Sequence, residues 1–292
     1  MRLLSYRRDN VLRHGRLDGD DGDDGDKVDE LGDGDLFSLL QQVFPLRDVD
    51  LPAPRGRYRL DDVELCAPIG RPGKLLAAAA NYQEHVTETG GAPLDKSTLV
   101  PRLFLKPSTC VAAPGEPIEL PELSKQIDWE AELGVVIGRR ARAVSVDNAL
   151  DVVAGYLGAN DVSARSLDYG IARDTDDKAV WFFDWLAGKW FDGFAPMGPY
   201  LVTADEVPDP QALPVRFELN GTVHQQGSTA GMIFSVAELI SHASRLMTLE
   251  PGDVILTGTP SGVGAASGVY LSVGDRMVVT IGDFGELRNE LR

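Results

Sequence analysis

Asp128-Trp-Glu130-Ala-Glu132-Leu-Gly-Val-Val-Ile137 is the stretch on which the reading of this chain turns. Trp129, Ala131, Leu133, Val135 and Ile137 fall on one side of a two-residue repeat and Glu130 and Glu132 on the other, which predicts a strand with one apolar face. Outward from it run further short strands: Leu75 to Ala80, Gly155 to Asn160, Val254 to Thr257, Arg276 to Ile281 and Glu286 to Leu291. Turns fall at Pro251-Gly-Asp, Gly274-Asp and Gly282-Asp. Helices are few. Asn81-Tyr-Gln-Glu84 has capping-box spacing and opens a helix that Gly90-Gly91 stops; Ser145 to Val153 is a short one. Ser235-Val-Ala-Glu238 is a second capping box, followed by Leu239, Ile240, Ala243, Leu246 and Met247 at helical spacing. Strands without regular strand-helix alternation argue against a doubly wound parallel sheet and predict a mainly β, α+β protein with a rolled or sandwiched core.

The start of the chain reads differently. A strand over Arg2 to Tyr6, an acidic run from Asp18 to Asp26, a helical segment marked by Leu36, Leu39, Leu40 and Val43, and a loop from Pro45 to Pro54 predict a small amino-terminal domain over residues 1–66, ahead of a main domain over 67–292. The acidic run invites a calcium loop, but no register supplies alternating oxygens, Gly at the sixth place and Glu at the twelfth, so it reads as a solvated hairpin tip. Lys+Arg 28 against Asp+Glu 45 leaves a net charge of −17, a field that repels phosphate backbones and anionic lipid. Nucleic acid and membrane surfaces are therefore not expected partners. No apolar run nears the roughly 20 residues that cross a bilayer, Met1 to Arg8 lacks a signal-peptide core, and Cys66 and Cys110 sit in apolar contexts; a cytoplasmic protein without disulfides is the expectation.

Three places carry possible chemistry. Glu130 and Glu132, two apart on a strand, point the same way, and two converging carboxylates need a cation between them or a proton on one. With Asp161, at the end of the Gly155 to Asn160 strand, they would make an oxygen-rich pocket suited to Mg2+ or Mn2+; the alternative is a solvated sheet face. His85 and Glu88, three apart on the predicted helix, form either a surface pair or an imidazole held by a carboxylate for activating water. Val254 to Gly264 is a strand entering a Gly-rich loop with no Lys in P-loop position, either a structural turn or a set of N–H groups that, with the Thr259 hydroxyl, grips a carboxylate. Lys189, a lone cation among aromatics and acids, is either a counterion for an anionic substrate or a snorkelling surface lysine.

Taken in order, these pieces resemble the fumarylacetoacetate hydrolase family. The resemblance rests on Asn81-Tyr-x-x-His85-x-x-Glu88, Phe104-Leu-Lys-Pro-Ser-Thr109, Asp128-Trp-Glu-x-Glu132-Leu, Gly155-Tyr-x-x-Ala-Asn-Asp161-Val-Ser-Ala-Arg165, Gly188-Lys189 with Phe191-Asp, Gly231-Met-Ile-Phe-Ser-Val-Ala-Glu238 and Glu250-Pro-Gly-Asp-x-Ile-x-Thr-Gly-Thr-Pro260, from about Leu75 onward. It implies a mixed β-sandwich roll as catalytic domain, a small amino-terminal domain, usually a homodimer, and one Mg2+ or Mn2+ held by Glu130, Glu132 and Asp161. It implies that His85 and Glu88 activate water from a mobile lid, that Lys189 and Thr259 contact the substrate, and that the substrate is a small oxo or diketo acid, cleaved, decarboxylated or isomerised. Arg165 and Asp168 are counted with the substrate side. Several relatives have Gln where this chain has Asp168, and an acid there is unfavourable for an anionic substrate unless Arg165 or Arg173 neutralises it. The leading expectation is a metal-dependent carbon-carbon hydrolase of acylpyruvate-like β-diketo acids. The alternatives are an oxo-acid decarboxylase or isomerase of aromatic catabolism, or a metal-stabilised β-rich binding protein without chemistry.

Overall fold

The computed structural model describes residues 1–19 and 25–292 and has the expected mainly β, α+β architecture. Among the described residues one mixed sheet has twelve strands. From one edge run Gly56–Arg59, Lys27–Asp33, Val11–Asp18, Arg2–Arg8, Ala195–Thr203, Val153–Asn160, Ala131–Ile137, Val254–Leu256, Leu75–Ala79 and Arg102–Lys106. Glu64–Cys66 and Val111–Ala112 attach to Arg2–Arg8 and Ala195–Thr203. Pairing is antiparallel except where Val254–Leu256 meets Leu75–Ala79 and Val111–Ala112 meets Ala195–Thr203. A second sheet, Thr222–Ser228, Pro214–Leu219, Arg276–Ile281 and Glu286–Glu290, covers one face, with Phe217, Val279 and Ile281 sharing a core with Leu133, Val135 and Ile137.

The strand Ala131–Ile137 is buried along its whole length. Its odd-numbered residues face the second sheet, while Val136 packs on the other side with Leu36 and Leu39. Each large aliphatic residue so enclosed contributes roughly 1.5–3 kcal/mol. The face that carries Glu130 and Glu132 is thus not a solvated sheet face, and the two glutamates are 6% and 1% exposed.

Helices occupy Leu36–Leu40 (α1), Gln83–Glu88 (α2), Lys178–Ala187 (α3), Val236–Leu246 (α4) and Gly264–Ser267 (α5). The capping box of α4 forms as its spacing predicts, with Ser235 and Glu238 each satisfying the other's backbone N–H. The box predicted at Asn81 does not form. Asn81 instead spends its amide on Phe234 O, Thr257 O and the Phe234 N–H, long-range partners that bind the root of α2 to the sheet and leave Tyr82 at the cap position. Ser145 to Val153 is two 3-10 turns, Val146–Asn148 and Leu150–Val152, in place of one helix. Helix α3 has no periodic signal because Trp181, Phe182 and Phe183 are consecutive and exposed; its start is fixed by Asp177, which accepts from the Ala179 and Val180 N–H groups.

Residues 1–66 extend the same sheet, since Arg2–Arg8 pairs with Ala195–Thr203 as well as with Val11–Asp18. The strands flanking the acidic run pair at Asp18 and Lys27, and the centre of the run, residues 20–24, lies outside the described residues. Cys66 and Cys110 are free thiols, and no helix among the described residues is long and apolar enough to cross a membrane.

Candidate active site

Strand register brings the acids together. Ala131 pairs with Asn160 across the antiparallel ladder, so Glu130 and Asp161, one residue beyond on each strand, become neighbours. Asn160 Oδ1 accepts from the Glu130 N–H at 2.8 Å and Glu130 O accepts from the Asp161 N–H at 2.9 Å, which locks the two chains at that point. One carboxylate oxygen each from Glu130, Glu132 and Asp161 lies within 4.8 Å of the others, all buried.

Three cations surround this cluster. Lys189 Nζ donates to Glu130 Oε2 at 2.8 Å and Asp161 Oδ2 at 2.7 Å. Lys106 Nζ reaches Asp161 Oδ1 at 2.5 Å, and Arg165 bridges Glu130 Oε1 at 2.6 Å and Asp128 Oδ2 at 2.7 Å. None of the three cations reaches Glu132. One of its oxygens accepts from the Gly258 N–H at 2.7 Å, and the other, Oε1, is buried without a partner. The electrostatics follow. Burial, with Asp161 and Glu130 alongside, raises the Glu132 carboxyl well above the usual range. Burial pushes Glu130 the same way, but Lys189 and Arg165 outweigh it and hold that carboxyl far below.

The donor set fits a hard divalent ion. It is all oxygen, three-carboxylate and enclosed, and it leaves one buried lone-pair site with nothing to bond, the kind of vacancy in hydrogen bonding that an ion fills. Glu130, Glu132 and Asp161 are the residues that would hold it.

Helix α2 carries the pair expected on it. His85 Nδ1 lies 2.9 Å from Glu88 Oε1, and Glu88 Oε2 accepts from the Gly262 N–H at 2.7 Å. His85 is near enough to Glu130 to interact with it electrostatically. The loop from Gly258 to Gly262 therefore holds a carboxylate at each end. Both glycines require their conformation: φ is +93° at Gly258 and +105° at Gly262, and a Cβ on Gly262 would stand 2.0 Å from His224 O.

Of the residues expected from sequence, His85, Glu88, Glu130, Glu132, Asp161, Arg165 and Lys189 converge. Thr259 lies beside them, its hydroxyl donating to Ala131 O at 2.8 Å and accepting from Gln225 Nε2 at 2.7 Å. Asp168 stands apart: it is exposed, accepts from the Gly170 N–H, and neither Arg165 nor Arg173 pairs with it, Arg173 being engaged by Asp184. Sequence reasoning gave no role to Lys106, Asp128, Trp129, Tyr82 or Gln225. Lys106 had a signal, a lysine at the end of the otherwise apolar Leu103-Phe-Leu run, and it is buried. Tyr82 has a buried hydroxyl without a partner; Gln225, in a polar strand, had no signal.

The fumarylacetoacetate (FAA) hydrolase C-terminal family model matches residues 74–292. The chain belongs to the fumarylacetoacetate hydrolase family. Among its relatives is a Burkholderia multivorans protein named only provisionally as a hydrolase, 40% identical over 98% of this chain and 97% of its own. Among solved structures, a fumarylacetoacetate hydrolase from Exiguobacterium antarcticum superposes with a TM-score of 0.80 at 32% identity, covering 100% of this chain and 99% of that one. A 5-carboxymethyl-2-hydroxymuconate delta-isomerase from Mycobacterium smegmatis does so with 0.78 at 33% identity and the same coverage. The family thus joins hydrolases and isomerases on one fold, and the buried carboxylate cluster of this member fits the divalent metal that such enzymes use.

Proposed function

We propose that this protein is a divalent-metal-dependent hydrolase that cleaves a carbon-carbon bond in acylpyruvate-like β-diketo acids, with Mg2+ or Mn2+ as the ion. The observation that carries this reading is an oriented His85–Glu88 pair close to a buried carboxylate cluster with an orphaned oxygen. When bound, the ion supplies an electron sink for two adjacent oxygens of the substrate.

The side chains supply the rest. Glu88, fixed by the Gly262 N–H, holds His85 through Nδ1 and leaves the other ring nitrogen to take a proton from water. The resulting hydroxide adds to the distal carbonyl. The carbon-carbon bond breaks, the departing carbon takes up a proton, and the products are a carboxylic acid and a 2-oxo acid. Lys189 and Arg165 keep Glu130 ionised, and Lys106, Lys189 and Arg165 offset the charge of Asp161, Glu130 and Asp128, which lessens the repulsion that an anionic substrate meets in this acidic protein.

His85→Ala tests this. Turnover of acetylpyruvate with Mg2+ should fall by about 10²–10⁴-fold while calorimetric Mg2+ affinity is retained; unchanged turnover refutes His85 as the base. The isomerase among the neighbours supports a second reading, isomerisation of an unsaturated oxo diacid, which the same assay separates by product. We also propose a homodimer, to be checked by light scattering at assay concentration.

A further inference from the structure

We propose that Trp129 is a positioning residue for the His85–Glu88 pair, acting through Gly262. The proposal rests on the reading of that pair given above. The indole N–H of Trp129 donates to Gly262 O at 3.1 Å, and the N–H of Gly262 donates to Glu88 Oε2 at 2.7 Å. Glu88 in turn holds His85 Nδ1 at 2.9 Å. One glycine thus receives a hydrogen bond from Trp129, next to Glu130 at the entry to the Ala131–Ile137 strand, and passes another to the lid helix.

The indole can serve as a fixed point because it is itself fixed. Trp129 is fully buried, stacked on Phe217 with centroids 5.0 Å apart and planes 10° from parallel, and set edge-on to His224. The next residue back, Asp128, accepts from the Gly264 N–H at 2.6 Å and the Ala265 N–H at 3.1 Å, so the start of α5, just past Gly262, is tied down by the same short stretch of chain.

The lid needs such a tie. Helix α2 has six residues, none buried, and no side-chain cap, too short to persist through its own hydrogen bonds. Its side-chain bonds to the loop are Glu88 on Gly262 and Glu84 with Ser261 at 3.3 Å. A Gly262 whose carbonyl is no longer held regains freedom about both its backbone angles, and Glu88 loses the direction of its donor.

The test replaces the indole N–H. Trp129→Phe removes it at the cost of some volume, and site-specific incorporation of 3-benzothienylalanine at 129 removes it with size and shape kept, which covers failure of the Phe variant to fold. Amide hydrogen exchange of the metal-free protein should quicken roughly five- to tenfold over residues 83–91 with no change in Ala131–Ile137, and kcat for acetylpyruvate with Mg2+ should fall by a similar factor at constant KM. Unchanged exchange over 83–91 in the benzothienyl variant, or a rise shared by Ala131–Ile137, overturns the proposal. A wild-type protein that turns over no diketo acid would instead refute the hydrolase reading, and the exchange measurement would still decide the role of Trp129.

Discussion

Among the described residues, two buried groups of acids and bases on the main sheet are built from similar residue types and differently balanced. Among the amino-terminal strands, Asp29 and Glu30 are 4% and 9% exposed; Arg16 meets Asp29 at 2.9 Å, Arg57 stands 3.8 Å from it, and Arg13 and the Tyr6 hydroxyl approach Glu30 at 3.3 and 3.4 Å. In that group each acid has its own arginine, reaching in from a partly solvated position. In the Glu130–Glu132–Asp161 group three cations crowd on Glu130, Asp161 and Asp128 while none is ion-paired with Glu132. Compensated burial suits a group that only builds the fold, and the residual imbalance at Glu132 is what the proposed ion would offset.

One substitution applied to both groups exposes the difference most strongly. Glu132→Gln should weaken Mg2+ or Mn2+ binding by more than about 100-fold, since even indirect supports of a metal site are worth 10–100-fold, and should abolish turnover. Glu30→Gln should leave both intact. Stability should move in opposite directions. Glu30→Gln breaks a compensated pair and should cost about 1–3 kcal/mol, whereas at neutral pH Glu132→Gln removes an acid that must take up a proton to be buried and should stabilise the ion-free protein by about 1–2 kcal/mol. Urea unfolding in chelator reads both. Equal and like-signed changes would erase the distinction.

Proton linkage sharpens the same contrast. The Glu132 carboxyl is raised by burial and by its acidic neighbours, so above the ordinary glutamate range the folded state holds a proton that the unfolded chain has lost. Its contribution to ion-free stability is complete below about pH 4.3 and is lost as pH rises through the raised value. His14, buried in the amino-terminal strands against Gly34 O at 3.2 Å, has its imidazole lowered, chiefly by burial. Its contribution is complete above about pH 6.5 and is lost as pH falls through the lowered value. Ion binding at a pH below the raised Glu132 value should therefore release a proton and tighten as pH rises. Calorimetry in two buffers of different ionisation enthalpy measures that proton, and a release of zero would contradict the assignment. His14→Gln should leave the release unchanged.

What the sequence made legible was local. The strand through Glu130 and Glu132, the capping box at Ser235 and the His85–Glu88 spacing are each set by residues within a few positions of one another. The rest depends on distant chain. Asn81 leaves its predicted box for partners 153 and 176 residues away, and Glu88 is oriented by an N–H 174 residues away. Backbone donors of this kind have no side-chain identity to read. The helix at Lys178–Ala187 was hidden for a different reason, its run of exposed aromatics, which erases the apolar stripe that periodicity detects.

Asp168 sets the lower end of the scale. An acid in the substrate pocket would repel an anionic substrate, and its removal would lower KM several-fold. The carboxylate is exposed and bonded to the Gly170 N–H two residues on, so water and salt screen its field. Asp168→Asn keeps the oxygen that accepts from Gly170 and deletes the charge alone. KM for acetylpyruvate should change by less than about twofold, shrinking further between 0.05 and 0.5 M salt, as screening of an exposed charge requires. A several-fold fall in KM that survives high salt would place Asp168 against the substrate and make it a third kind of acid in this protein, neither paired by arginine nor reserved for an ion.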